Sequence, residues 1–118
     1  MSIDQIGTPA LLLDLDILER NLARMAKRAE ELGVRLRPHV KTHKCPEIGN
    51  LQLAAGAAGI TVSTLYEAQV FADHGFDDIT WAFPLIHSRI DDALALARRI
   101  KLGLVIDSPE ALQALAAR

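Results

Sequence analysis

The chain has 118 residues, 50% of them hydrophobic and 24% charged, with a formal net charge of −2. That profile suits a soluble globular domain with one core, and with 4% aromatics it offers neither the basic footprint nor the stacking platforms of a nucleic-acid binder. No stretch of about 20 apolar residues could span a bilayer, Met1-Ser2-Ile3-Asp4 lacks the regions of a signal peptide, and the single cysteine, Cys45, excludes an internal disulfide framework. The expectation is a cytoplasmic protein with no membrane or nucleic-acid partner.

Taken in order, Thr8-Pro9 precedes a short apolar run, 10–13, that suits a buried strand. Asp16 is placed as the N-cap of a first helix, with Glu19 three residues on in the capping-box position. Ile17, Leu18, Leu22, Met25, Ala29 and Leu32 make an apolar stripe at helical spacing, and Gly33 ends the helix. A strand over 34–40 follows. Pro46 and Glu47 open a second helix that runs towards Gly56. A strand is predicted over 59–63, and Thr64 with Glu67 forms a capping box for a third helix ending at Gly75. Another strand covers 78–83 and stops at Pro84; Ser88 and Asp91 start a fourth helix. The last pair is a strand over 102–106 and a helix opened by Asp107-Ser108-Pro109-Glu110 that is still running at Arg118.

This repeated strand–helix order reads as βα units on a parallel sheet, with no internal boundary in 1–118. The strand faces choose between architectures. Ile60, Val62, Ile79, Trp81, Phe83, Leu104 and Ile106 share a large apolar face; Thr61, Ser63, Asp78, Thr80, Ala82, Gly103, Val105 and Asp107 share a small or polar one. A doubly wound sheet, covered on both faces, would be apolar throughout. A (β/α)8 barrel carries helices outside only and can place polar groups inside, near its C-terminal mouth. The predicted fold is therefore α/β: a partial TIM-type barrel of about four βα units, preceded by a strand and a helix. Such a chain would leave strand edges open and need further chain or a second copy to close.

The strand over 34–40 stands apart from the others. Val34, Leu36, Pro38 and Val40 alternate with Arg35, Arg37, His39 and Lys41, so one face is apolar and the other cationic. Crowding by like charge and desolvation both favour the neutral amine of a lysine at the end of such a strand, and a neutral amine is the form that condenses with a carbonyl.

Three stretches carry a resemblance: Gly7-Thr8-Pro9-Ala10-Leu11-Leu12-Leu13-Asp14, then Arg37-Pro38-His39-Val40-Lys41-Thr42-His43-Lys44, then Gly59-Ile60-Thr61-Val62-Ser63-Thr64 continuing into Glu67-Ala68 and Gly75-Phe76-Asp77-Asp78-Ile79. The chain resembles the alanine-racemase-like pyridoxal-phosphate enzymes, and within them the D-threonine aldolase and D-serine dehydratase branch. The Arg-Pro-His-x-Lys-Thr-His-Lys run is the branch-specific part. The resemblance covers nearly the whole chain but about the first third of a family member. It implies that Lys41 forms the Schiff base with pyridoxal 5'-phosphate, with His39 and Arg37 beside the cofactor, in a lyase acting on D-amino acids. It also implies that the rest of the barrel, a C-terminal β-domain, the phosphate contacts and the ligands of a divalent metal (Zn or Mn) lie outside this chain, that the complete protein is a homodimer, and that these residues alone are inactive. Thr42-His43-Lys44-Cys45 stands where the racemases have a different continuation. A racemase of the same fold, and a non-catalytic pyridoxal-phosphate carrier sharing the lysine, are the alternatives.

Other residues have structural readings. His39 and His43 are four apart, but Pro38 and the strand pattern remove the helix that would align them on a metal, so no metal ligand is assigned. His74 and His87 fall at helix ends and loops, and Met25 belongs to the apolar stripe. Cys45 is a small residue at a helix entrance. Lys44, beyond the strand end, is expected in solvent, and Glu67 is explained by capping alone. Lys41, Ser63 and Asp107 are placed near the mouth, Asp107 equally well as a helix cap. Gly56-Ala57-Ala58-Gly59 precedes a strand and so is no dinucleotide fingerprint.

Overall fold

Three strands, β1 (Ile60–Val62), β2 (Asp78–Pro84) and β3 (Lys101–Val105), lie side by side in chain order and pair in parallel in a computed structural model that describes residues 2–118. Five helices accompany them: α1 (Leu15–Glu31), α2 (Pro46–Ala54), α3 (Leu65–Asp73), α4 (Ile90–Ala97) and α5 (Pro109–Ala116). Short 3-10 turns occupy Ile3–Gln5, Val40–Thr42 and His87–Arg89.

Strand alternation sorts the side chains as the sequence predicts over most of the sheet. Ile60, Val62, Ile79 and Trp81 are buried against Leu65, Ala68 and Phe71 of α3 and Ile90, Ala93 and Leu96 of α4. Phe71 and Phe76 meet edge to face, with ring centroids 5.0 Å apart, and Gly49 of α2 is small because a Cβ there would lie 2.8 Å from the Phe76 ring. Burial of each large side chain is worth about 1.5–3 kcal/mol, so this one-sided layer supplies most of the driving force. Phe83 and Ile106 depart from the pattern and are exposed. A register irregularity between Trp81 and Pro84 breaks the alternation before Phe83.

The local punctuation holds at several points. Thr64 and Glu67 form the full capping box, Pro46 and Pro109 stand in the first turns of their helices, and Gly33, Gly56 and Gly75 take positive φ just beyond helix ends. Other boundaries differ. Asp14, not Asp16, caps α1, its Oδ1 accepting from the Ile17 N–H at 2.9 Å, which puts Glu19 too far along for a capping box. Ser108 rather than Asp107 caps α5, which ends at Ala116 instead of running on. Ser88 lies in the 3-10 turn, and α4 starts at Ile90 with no side-chain cap.

Two predicted strands are not strands. Residues 10–13 have no partner among the described residues, and Leu11 is fully exposed. The stretch 34–40 runs alongside β1, but its parallel pairing reduces to one bridge, His39 to Thr61, and two carbonyls, Leu36 and Pro38, accepting from Ala58 and Thr61 at 2.8 Å each. Pro38 has no N–H to give, and the chain turns into a 3-10 conformation at Val40. The sheet therefore has three strands where about four were expected.

The stripe on α1 is covered only in part. Ala29 is buried, Leu18 and Leu22 are half-buried, and Ile17, Met25 and Leu32 are about half exposed, so Met25 is not a core residue. The radius of gyration is 17.2 Å, against about 13.5 Å for a compact chain of this length. With Leu11, Leu12, Leu13 and Val34 also exposed, these 118 residues on their own should self-associate or lose protection in α1. Size-exclusion chromatography with hydrogen exchange checks this; a monomer with a protected α1 would contradict it.

Candidate active site

The segment 34–39 ends on a plug and a hook. Val40 is fully buried, which anchors the turn, and the chain reverses through Lys44 at φ +50° before α2 begins. A left-handed conformation costs a non-glycine residue about 1–2 kcal/mol. The Lys44 N–H, bonded to the Val40 carbonyl at 2.8 Å, and an ion pair from Lys44 Nζ to Glu67 at 3.0 Å hold it there. Lys41 is thereby presented at the C-terminal end of the segment with its side chain exposed.

His39 lies one layer deeper. The pairings His39–Thr61, Thr61–Thr80 and Thr80–Gly103 set these four residues in one row across the polar face. The His39 Nδ1 accepts the Lys41 N–H at 3.3 Å, and its Nε2 lies 3.5 Å from Ser63 Oγ. An accepting Nδ1 places the proton of the neutral ring on Nε2, directed at Ser63. Burial, then the Lys41 charge, hold the His39 pKa below 6.5, against a smaller opposite pull from Glu67. His39 is thus a neutral donor rather than one more cation.

Arg37 is not brought to this end. It sits four residues back, before the 3-10 turn at Val40. Its Nη1 is 2.8 Å from Asp78 Oδ1 and donates to the carbonyls of Asp78 and Ile60. Lys101 holds the other Asp78 oxygen at 2.9 Å. Arg37, first by hydrogen bond, and Lys101 keep the Asp78 pKa below its usual value. The space they fill explains Gly59, where a Cβ would collide with the Arg37 guanidinium and lie 2.5 Å from the Asp78 carbonyl oxygen.

Charge next to Lys41 is therefore largely compensated. Arg37 is paired, Lys44 is paired and His39 is neutral, while Lys41 and, at the far end of the segment, the exposed Arg35 have no ion-pair partner among the described residues. Lys44, expected in solvent, keeps an exposed stem but a bound head. Glu67 does more than cap. It is buried, and its Oε2 accepts from the N–H groups of Ser63 at 2.7 Å and Thr64 at 3.2 Å while Oε1 meets Lys44. Burial pushes its pKa up, but Ser63, Lys44 and Thr64 together outweigh that and hold it low. Trp81 reaches the same corner, its indole N–H donating to the Ser63 carbonyl at 3.1 Å. Beside it opens a groove of about 370 Å³ lined by Ser63, Thr64, Tyr66, Trp81, Phe83 and Arg89.

His43 turns away from this cluster. Its Nδ1 accepts from the Cys45 N–H at 3.1 Å, while its Nε2 and Gln52 Oε1 are buried without a hydrogen-bond partner. Burial lowers the His43 pKa, opposed by the hydrogen bond from Cys45. His39 and His43 thus face different surroundings, and no group of three or more potential metal ligands occurs among the described residues. His74 sits at the end of α3 and His87 in a 3-10 turn. Asp107 is exposed.

These groups fix an acid response. His39 and His43 bind protons less readily folded than unfolded, so stability is flat above pH 6.5 and falls below it. Glu67 and Asp78 contribute stability that is complete above their ordinary values of 4.5 and 3.8 and is lost as pH falls through their lower folded values. The urea midpoint should decline in two stages, first below about pH 6.5 and again below about pH 4.5. A midpoint unchanged between pH 7 and 5 would contradict the histidine assignment.

The profile of the alanine racemase N-terminal domain family matches residues 13–118. The chain belongs to this family. It is 50% identical over 113 residues to the D-threo-3-hydroxyaspartate dehydratase of Delftia sp. (strain HT23), covering 95% of this chain and 30% of that protein. The solved structure of that dehydratase superposes with a TM-score of 0.93. The D-serine dehydratase of Dictyostelium discoideum is 36% identical over 96% of this chain and 30% of its own length. The crystal structure of D-threonine aldolase from Filomicrobium marinum matches with a TM-score of 0.94 at 37% identity, covering 98% of this chain and 31% of that one. This alanine racemase N-terminal domain chain thus spans about 30% of the length of the relatives it matches, and they fall in the branch that the Arg37–Lys44 run indicates.

Proposed function

We propose that this chain supplies the cofactor lysine of a pyridoxal-phosphate-dependent lyase acting on β-hydroxy D-amino acids, with Lys41 as that lysine. The carrying observation is the exposed Lys41 amine, without an ion-pair partner among the described residues, at the end of a segment where the nearest permanent cations, Arg37 and Lys44, are both paired. The relatives' names support the substrate class: 3-hydroxyaspartate, serine and threonine all carry a hydroxyl on the β-carbon, and each name specifies the D-configuration or its D-threo form. In this reading the three-stranded sheet is part of a (β/α)8 barrel, the whole protein is a cytoplasmic homodimer, and a divalent metal, Zn or Mn, binds outside the described residues.

The residues present fit the cofactor. An accessible primary amine suits an aldehyde, and the unpaired Lys41 beside the Ser63 hydroxyl, which accepts from His39 Nε2–H and so keeps its own proton to donate, suits an anionic ligand. Pyridoxal phosphate, when bound, supplies the electron sink for bond cleavage at the substrate α-carbon. Lys41 would hold it, and its Nζ as a free amine can carry a proton. His39, neutral through burial, keeps its Nε2–H on Ser63 and its Nδ1 on the Lys41 backbone, which orients the turn without competing for the ligand's charge. Arg37, expected beside the cofactor, instead serves the opposite end of the segment by locking the start of β2.

The test is an assay of the whole protein that contains these residues, with pyridoxal phosphate and with and without Mn²⁺ or Zn²⁺. The substrates are D-threonine, D-serine and D-threo-3-hydroxyaspartate, each beside its L-enantiomer. Release of aldehyde, or of ammonia with a keto acid, from the D-forms alone supports the reading. Interconversion of enantiomers would make it a racemase; tight cofactor binding with no turnover would make it a carrier.

A further inference from the structure

We propose that Glu67 is a positioning residue for Lys41, acting through Lys44. This role rests on Lys41 being the cofactor lysine of the proposed function. Two pieces of chain meet at the Glu67 carboxylate. One is the corner between β1 and α3, whose Ser63 and Thr64 N–H groups bond to Oε2. The other is the turn after Val40–Thr42, whose Lys44 reaches Oε1 at 3.0 Å from a left-handed backbone. A capping box alone needs an acceptor for the N-cap N–H; it does not need a second oxygen aimed at a cation from another segment. The carboxylate is buried, so solvent screens the pair only from the exposed Lys44 side. The clamp spans the residues that matter: Lys41 precedes Lys44 by three positions, and Ser63, which faces His39 Nε2, donates its own N–H to the same carboxylate. Glu67 therefore ties the lysine-bearing turn and the Ser63–His39 contact to one point.

The prediction separates this role from helix capping. In the whole protein, Glu67→Gln keeps an amide oxygen for the corner N–H groups but removes the charge that holds Lys44. Lys44→Met removes the other half from an exposed stem, so it should fold even if Glu67→Gln does not. Amide exchange over 41–45, measured without cofactor, should quicken about tenfold or more in both variants. The rate at which Lys41 takes up pyridoxal phosphate should fall by a similar factor, and the double variant should be no worse than the worse single one. Glu67→Asp, too short to span both partners, should not rescue. If Glu67→Gln or Lys44→Met leaves exchange over 41–45 unchanged, the clamp is refuted whatever the cofactor reading. If exchange quickens but Lys41 takes up cofactor at the normal rate, Glu67 is a structural cap and no more. If the wild-type chain never attaches cofactor at Lys41, the functional reading fails instead.

Discussion

Replacing Lys41 by alanine is expected to abolish covalent retention of pyridoxal phosphate and to lower lyase turnover by at least about a thousandfold. The side chain has no structural work to lose. It is exposed and pairs with no carboxylate among the described residues, and the turn is anchored instead by buried Val40 and by the Lys44–Glu67 pair. The melting temperature should accordingly stay within a few degrees of wild type, since exposed substitutions away from such anchors change stability by about 0.5 kcal/mol or less. Lys44→Ala is the matched control: it should weaken and slow cofactor attachment by loosening the turn, yet leave the adduct on Lys41. Absorbance of the bound cofactor and steady-state turnover on a D-substrate check both. Normal turnover by Lys41→Ala would remove the lysine from the mechanism.

The largest expected effect on stability is at Trp81. Its side chain is 2% exposed, fills the centre of the layer under α3 and α4, and ties its indole N–H to the Ser63 carbonyl. Trp81→Ala should cost about 3–5 kcal/mol, from lost burial and the cavity left behind. Trp81→Phe keeps much of the volume but orphans the Ser63 carbonyl, at about 1–3 kcal/mol. Urea midpoints of the full chain measure both. A cost for Trp81→Ala below about 1 kcal/mol would mean the layer collapses without it. Because Ser63 also meets His39 and Glu67, Trp81→Phe should slow cofactor attachment as well.

What the sequence made legible follows from the range of each force. Capping and glycine signals act over three or four residues, so Thr64 with Glu67, Pro46 and Gly33 read directly. Burial on one strand face has period two, so Ile60, Val62, Ile79 and Trp81 read directly as one buried face. The failures are non-local. Residues 10–13 have apolar strand composition but nothing beside them to pair with, and α1 has a stripe with only part of its partner. Segment 34–40 alternates well, yet Pro38 and the turn at Val40 thin its ladder to one bridge. At the candidate site, Lys41 stands out in the sequence because its run of residues is distinctive. The pairing of its neighbours Arg37 and Lys44 was not legible. Asp78 lies 41 positions from Arg37 and Glu67 lies 23 from Lys44, and no local pattern announces either pairing. Glu67 was hidden for a further reason: its capping role accounted for it completely.

The central claim is that Lys41 is the residue that takes the cofactor. The direct measurement is to incubate the whole protein containing these residues with pyridoxal phosphate, reduce with borohydride, digest, and locate the modified peptide by mass. The account predicts a single stoichiometric modification on Lys41, lost in Lys41→Ala and kept in Lys44→Ala. A modification on Lys44, or one spread over the exposed lysines Lys27, Lys41, Lys44 and Lys101, would contradict it.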